Sequence, residues 1–218
     1  MRRRWFGHSA FLLAAVDGTR VITDPYVPGS FNGDVEYGPI REMADATTVS
    51  HHHQDHDGVA RLPGKPKVFD RPGSYRAGAF VVIGVETFHD AARGAQRGRN
   101  TVFVCEADGL RVCHCGDLGH ILSAEQAAAI GKVDVLLVPV GGTFTVDAAG
   151  AREVATQLAA RVIIPMHYKT DKLRFDIAGV EDFTRGQKKV KRIGASEVEL
   201  SASRLPPVPE VWVLEHAL

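Results

Sequence analysis

Within Ser50-His51-His52-His53-Gln54-Asp55-His56-Asp57-Gly58, four donor side chains fall in the pattern His-x-His-x-Asp-His: His51, His53, Asp55 and His56. Imidazole nitrogens and carboxylate oxygens at this density suit a divalent transition metal. Alternate residues of an extended backbone share a side. His51, His53 and Asp55 therefore point together, and a turn at Asp55 brings His56 round to them. His52 points away and is read as structural or exposed. A purification tag would be terminal and free of interleaved aspartates. A plain polar loop would not follow an apolar run such as Ala46-Thr47-Thr48-Val49, which reads as a short buried strand.

Further donors stand where other apolar runs give out. His89 follows Phe80 to Phe88, Asp117 lies in His114-Cys115-Gly116-Asp117-Leu118-Gly119-His120, and His167 follows Val162-Ile163-Ile164-Pro165-Met166. A lone histidine at a strand end is more often a hydrogen-bonded surface residue, and Gly-Asp is common in turns. Only the first motif turns these residues into ligand candidates. His114 rivals His89 for a place, and His120 stays open.

The elements that must carry these residues are legible in outline. Asp17-Gly18 and Asp108-Gly109 each separate two apolar runs and mark hairpins. The first of these, after Met1-Arg2-Arg3-Arg4, argues against a signal peptide, because Gly7, His8 and Ser9 interrupt the apolar stretch. Residues 26–42 and 91–100 read as surface loops, the second carrying Arg93, Arg97 and Arg99. Helices are expected over 123–130, capped by Ser123 with Gln126, over 147–158 and over 177–185. A strand buried on both faces is expected over 133–140, and a last strand over 208–214. No linker, repeat or low-complexity segment divides the chain, so 1–218 is read as a single domain of mixed α and β layers.

The totals bound the function. With 218 residues, 26 basic against 26 acidic and 44% hydrophobic, the chain can bury a core and offers no bulk charge for nucleic acid or an anionic membrane. No apolar run nears the length of a membrane span. Three cysteines, with Cys113 and Cys115 too close to bridge comfortably, suit a reducing, cytoplasmic setting.

The motif and the donors that follow it resemble the metallo-β-lactamase superfamily. Trp5-Phe6-Gly7-His8-Ser9-Ala10-Phe11, Ile22-Thr23-Asp24-Pro25, Gly141-Gly142-Thr143-Phe144-Thr145 and Pro165-Met166-His167-Tyr168 are similar to its small hydrolases akin to ascorbate-6-phosphate lactonase. The resemblance implies a four-layer αβ/βα sandwich with the site at one edge between two sheets. It implies two divalent metal ions, zinc first and manganese or iron as alternatives. His51, His53 and His89 would hold one ion, Asp55, His56 and His167 the other, and Asp117 both. Asp55 and Asp117 then act in catalysis, a hydroxide bridging the metals being the nucleophile. His8, Thr143 and Tyr168 are the expected substrate contacts. Arg93, Arg97 and Arg99 beside His89, with Lys169, Lys172 and Arg174 beside His167, favour a small anionic ester, lactone or phosphoester if they line the cleft.

Alternatives from the same motif are a phosphodiesterase or nuclease and a mononuclear iron persulfide dioxygenase. The neutral charge balance and the lack of an extra nucleic-acid module rank the first lower. A non-catalytic binding protein is disfavoured by the complete donor set.

Overall fold

The computed structural model describes all 218 residues. The first half of the chain is strands and turns: β1 (Arg2–Gly7), β2 (Ala10–Ala14), β3 (Arg20–Thr23), the short turn α1 (Ser30–Gly33), β4 (Ala46–Thr48), β5 (Lys67–Phe69), β6 (Gly73–Ala77), β7 (Phe80–Phe88), β8 (Arg99–Ala107) and β9 (Leu110–His114). Helices enter in the second half: α2 (Ala124–Ile130), β10 (Val135–Pro139), α3 (Ala148–Gln157), β11 (Val162–Met166), α4 (Val180–Thr184), β12 (Val190–Arg192), β13 (Glu197–Glu199) and β14 (Glu210–Val213).

Two mixed sheets result. One runs β13-β1-β2-β3-β4-β5, the other β12-β14-β11-β10-β9-β8-β7-β6. Both Asp-Gly hairpins form as the turn chemistry dictates, β2 with β3 and β8 with β9. β10 and β11 pair in parallel at the middle of the larger sheet and are buried on both faces, which explains their unbroken apolar sequences. Ser123 caps α2 in a full capping box with Gln126, and Asp147 caps α3 through Ala149 and Gly150.

Alternation along the first strands sorts residues between two cores. Trp5, Phe11, Leu13 and Val21 join the main core, while Phe6, Leu12 and Ile22 face outward into a second, smaller one. Helices α2 and α3 lie against β7 and β10 of the larger sheet. The smaller sheet's outer face is covered mainly by connections, and this corrects the reading of 26–42 as a surface loop. Tyr26, Val35, Tyr37 and Ile40 from that segment are buried there with Leu173 and Ile177. Its turn-rich composition hides the four apolar residues that give it a packing face.

The sequence reading also missed β1, whose arginines mimic a leader. Arg3 is in fact wholly buried in it.

Candidate metal centre

Every candidate ligand sits where a strand ends. β4 leads into Ser50–Asp57, β7 into His89, β9 into Asp117 and β11 into His167. The stretch is not extended as far as Asp55: the backbone bends from Ser50, and the turn starts at His53, whose carbonyl accepts the amides of His56 and Asp57. The N-terminal hairpin adds a residue the spacing alone could not place. A bulge between Trp5 and Gly7 breaks the β1–β2 register, and His8 follows with φ 50°. Gly7 is required there, because a Cβ would lie 2.4 Å from the Tyr37 ring. The bulge turns His8 under the site.

The side chains converge in two groups. His51, His53 and His89 form one, and Asp55, His56 and His167 form the other, with His8 beside them. Asp117 lies between. Its Oδ2 is 3.2 Å from His89 Nε2, 3.3 Å from His167 Nε2 and 3.8 Å from His51 Nε2, and its Oδ1 is 3.1 Å from His56 Nε2. His51 Nε2 and His53 Nδ1 are 2.9 Å apart, so His53 turns Nδ1 toward the cluster. All of these residues are buried except His53, which opens to solvent.

One buried carboxylate aims a histidine in each group. Asp24, at the end of β3, accepts from the Ser50 amide and hydroxyl and from His56 Nδ1 at 2.8 Å. With its hydrogen given to Asp24, the Ser50 hydroxyl is left to accept from His51 Nδ1 at 3.0 Å. Both rings therefore carry their proton on Nδ1 and present a lone pair at Nε2, the tautomer a metal ligand needs. Asp24 holds φ 39° to do this. The sequence reading gave it no role, although an aspartate ending an apolar strand before Pro25 was a usable signal.

This wiring tests whether the cluster fits a metal. His56 Nε2 faces Asp117 Oδ1, and with the ring neutral and its proton on Nδ1 neither atom has a hydrogen-bond partner. Asp55 Oδ1 is likewise buried and unpartnered. Electron-rich atoms brought together out of water require positive charge among them. Burial opposes charge on His56, yet Asp117 and Asp55 raise its pKa well above the ordinary imidazole value. Burial opposes charge on Asp117 too, but His167 and His56 hold its pKa well below the carboxylate range. His51 is pushed down to about 3 by burial and then by His56, so it is neutral and free to ligate. Divalent cations satisfy all of these atoms at once. The donors fit.

The open histidines are resolved by their partners. His114 donates from Nε2 to the Ser9 carbonyl at 2.8 Å and accepts at Nδ1 from the Gly116 amide. His120 accepts from the Phe88 amide and donates to the Ile121 carbonyl. Neither has a nitrogen to spare, so His89 keeps the third place in its group.

Of the expected substrate contacts, none lines the cleft itself. His8 is fully buried and bonds Asp55, its ring 4.1 Å from that of His167. Thr143 bonds the Asp176 carbonyl, joining two loops at the rim. Tyr168 is buried in the main core with its ring 5.3 Å from Trp5, a correction whose cause is the left-handed φ of 50° at His167 that turns the following residue inward. The cleft, about 370 Å³, is lined by His53, Asp55, His89, Asp117 and His167 together with Phe31, Phe144, Phe175 and Arg97. Arg93 lines a separate hollow, Arg99 pairs with Glu86, and Arg174 pairs with Glu36. The three cysteines are free and buried. No helix is long and apolar enough to cross a membrane.

Sheet sandwich and donor set together define the class, a metal-dependent hydrolase scaffold. Residues 3–167 match the β-lactamase superfamily domain, and the chain belongs to that superfamily. A UPF0173 metal-dependent hydrolase of Archaeoglobus fulgidus is 30% identical over 199 residues, covering 78% of this chain and 84% of the relative. A solved structure from Thermotoga maritima, provisionally named a Zn-dependent hydrolase of the metallo-β-lactamase superfamily, is 42% identical with a TM-score of 0.80, covering 98% of both chains. A metallo hydrolase of Ignicoccus hospitalis, 22% identical over 80% of this chain and 86% of its own, shares the fold with a TM-score of 0.56.

Proposed function

We propose that this chain is a binuclear metal-dependent hydrolase of small esters, lactones or phosphoesters. The observation that supports it most is the position of Asp117, whose one carboxylate reaches both histidine groups at 3.1 to 3.3 Å. His51, His53 and His89 would hold one ion and Asp55, His56 and His167 the second, with Asp117 shared. The imidazole-rich set favours zinc, and the carboxylates also accommodate manganese or iron. Bound there, divalent ions supply a water acidified toward neutral pH and polarisation of the oxygen of the scissile group.

The residues of the chain do the rest. Asp55, gripped from below by His8, keeps Oδ1 free to orient the incoming water. Asp24 fixes two ligand tautomers before any substrate arrives, so that no reorientation is needed at the moment of reaction. In ester cleavage one water is consumed, the acyl C–O bond breaks, and the alcohol leaves with a proton. No Ser or Cys nucleophile is needed, and all three cysteines are buried.

The test is metal content per chain in protein purified without added metal, beside His51→Ala and Asp117→Ala. About two equivalents of zinc or manganese, reduced in both variants, is the expected result. One equivalent of iron, with oxygen consumption, would replace this reading with the oxygenase. No metal after reconstitution would end it.

A further inference from the structure

The cleft above the donors is walled by three phenyl rings and one guanidinium. Besides the ligand candidates it is lined by Phe31, Phe144, Phe175 and Arg97 alone. The three rings meet edge to face, Phe31 with Phe175 at 5.3 Å and Phe144 with Phe175 at 5.9 Å. They come from three separate connections. Phe31 lies in α1, Phe144 after β10 and Phe175 after β11.

These rings are not simply core. Phe31 is 41% exposed and Phe144 36%, both at the mouth of the cleft. The backbone spends strain to keep them there, with φ 53° at Phe31 and 56° at Thr143 just before Phe144. A non-glycine residue in that region persists only where its surroundings enforce it, and such residues gather at ligand clamps. Phe175 is braced from behind, since its carbonyl accepts from Lys169 Nζ and its neighbour Asp176 accepts from Thr143.

Arg97 completes the wall. Its guanidinium lies 5.7 Å from the centre of the Phe144 ring and takes part in no ion pair or side-chain hydrogen bond. Its place is set by Asp90, whose carboxylate accepts the amides of Ala92, Gly94, Gln96 and Arg97 and so shapes the loop. The cation is thus presented on an ordered loop with its hydrogen-bond donors unspent.

We propose that the substrate is an amphipathic anion: an ester or lactone bearing a ring-sized apolar group, seated between Phe31, Phe144 and Phe175, and one carboxylate that reaches Arg97. This rests on the hydrolase reading above and names its substrate class. Size agrees. A benzene-sized site needs about 150 Å³, so a cleft of about 370 Å³ takes one ring plus the reacting group and its charge. A phosphorylated or otherwise polyhydroxylated sugar is disfavoured. Its hydroxyls would face phenyl edges, and each one stranded without a partner weakens binding by about tenfold.

The deciding experiment is calorimetric titration of the full chain, as purified and after zinc loading, with 3-phenyllactate and with gluconate. Each ligand carries one α-hydroxycarboxylate, so any attraction of that group to metal cancels between them. The expected result is 3-phenyllactate binding at least about tenfold more tightly. Phe144→Ala and Phe31→Ala, both at exposed positions, should each weaken 3-phenyllactate by about three- to tenfold and leave gluconate unchanged. Arg97→Gln should weaken both ligands alike. Equal affinities, tighter gluconate, no detectable binding of either, or indifference to both phenylalanine variants would each overturn the assignment. Hydrolysis of phenyl-bearing ester carboxylates is scored separately. Binding preference without turnover of any ester or lactone would sink the hydrolase reading and leave the pocket assignment standing.

Discussion

His8 Nε2 lies 3.1 Å from Asp55 Oδ2, joining the N-terminal hairpin to the metal motif across 47 residues. Burial, then His167, lowers the His8 pKa to about 4, so the ring is neutral and donates its Nε2 hydrogen to the carboxylate. His8→Ala should release Asp55 and weaken the Asp55–His56–His167 site by about 10- to 100-fold while sparing the His51–His53–His89 site. Stepwise metal titration separates the two. Uniform loss at both sites would contradict a role confined to Asp55.

Asp24 acts on both groups, directly through His56 and through Ser50 on His51. Asp24→Asn should therefore weaken metal binding at both sites by about 10- to 100-fold, a broader effect than His8→Ala. Ser50→Ala should leave His56 fixed and reduce chiefly the first site. The same titration, run on the three variants, checks the order.

Metal should stabilise the fold, because the donors are assembled only in the folded chain. The unfolding free energy in urea should rise by about 1.4 kcal/mol for each tenfold rise in free metal above the dissociation constant, for each site being filled. A chelator should remove the gain. A midpoint that ignores metal would mean that the native state does not bind it.

Arg3 is fully buried on β1, with Nε and Nη2 unpartnered and one hydrogen bond from Nη1 to the Met1 carbonyl. Burial pushes its pKa down to about 10, against the pull of Asp134 and Asp108. Arg3→Met keeps the stem and removes the stranded charge. It should raise stability by about 1 kcal/mol or more, measured by the urea midpoint. A loss of stability would show that those two aspartates repay the burial.

Asp90 gathers four amides of the loop that carries Arg97. Asp90→Ala should speed hydrogen exchange at Ala92, Gly94, Gln96 and Arg97 by on the order of tenfold or more, with the β7 and β8 amides unchanged. Exchange rising throughout β7 and β8 would mean the loop anchors the sheet as well.

The sequence by itself determined what depends on neighbours along the chain. His51, His53, Asp55 and His56 are close in space because strand and turn geometry puts them there, whatever the rest of the fold does. The Asp-Gly hairpins and the capping of α2 by Ser123 are local for the same reason. Tertiary structure decided everything that rests on distant pairing. His89 is chosen over His114 because the Ser9 carbonyl, 105 residues away, occupies His114. Asp24 becomes the organiser of two histidines only once β3 and β4 run in parallel and bring Ser50 beside it. Of the arginines expected on one loop, Arg97 faces the cleft, while Arg99 already belongs to β8 and turns to Glu86, a difference set by where the strand begins and invisible to composition. The phenyl walls of the site come from three connections that only the closed sandwich brings face to face.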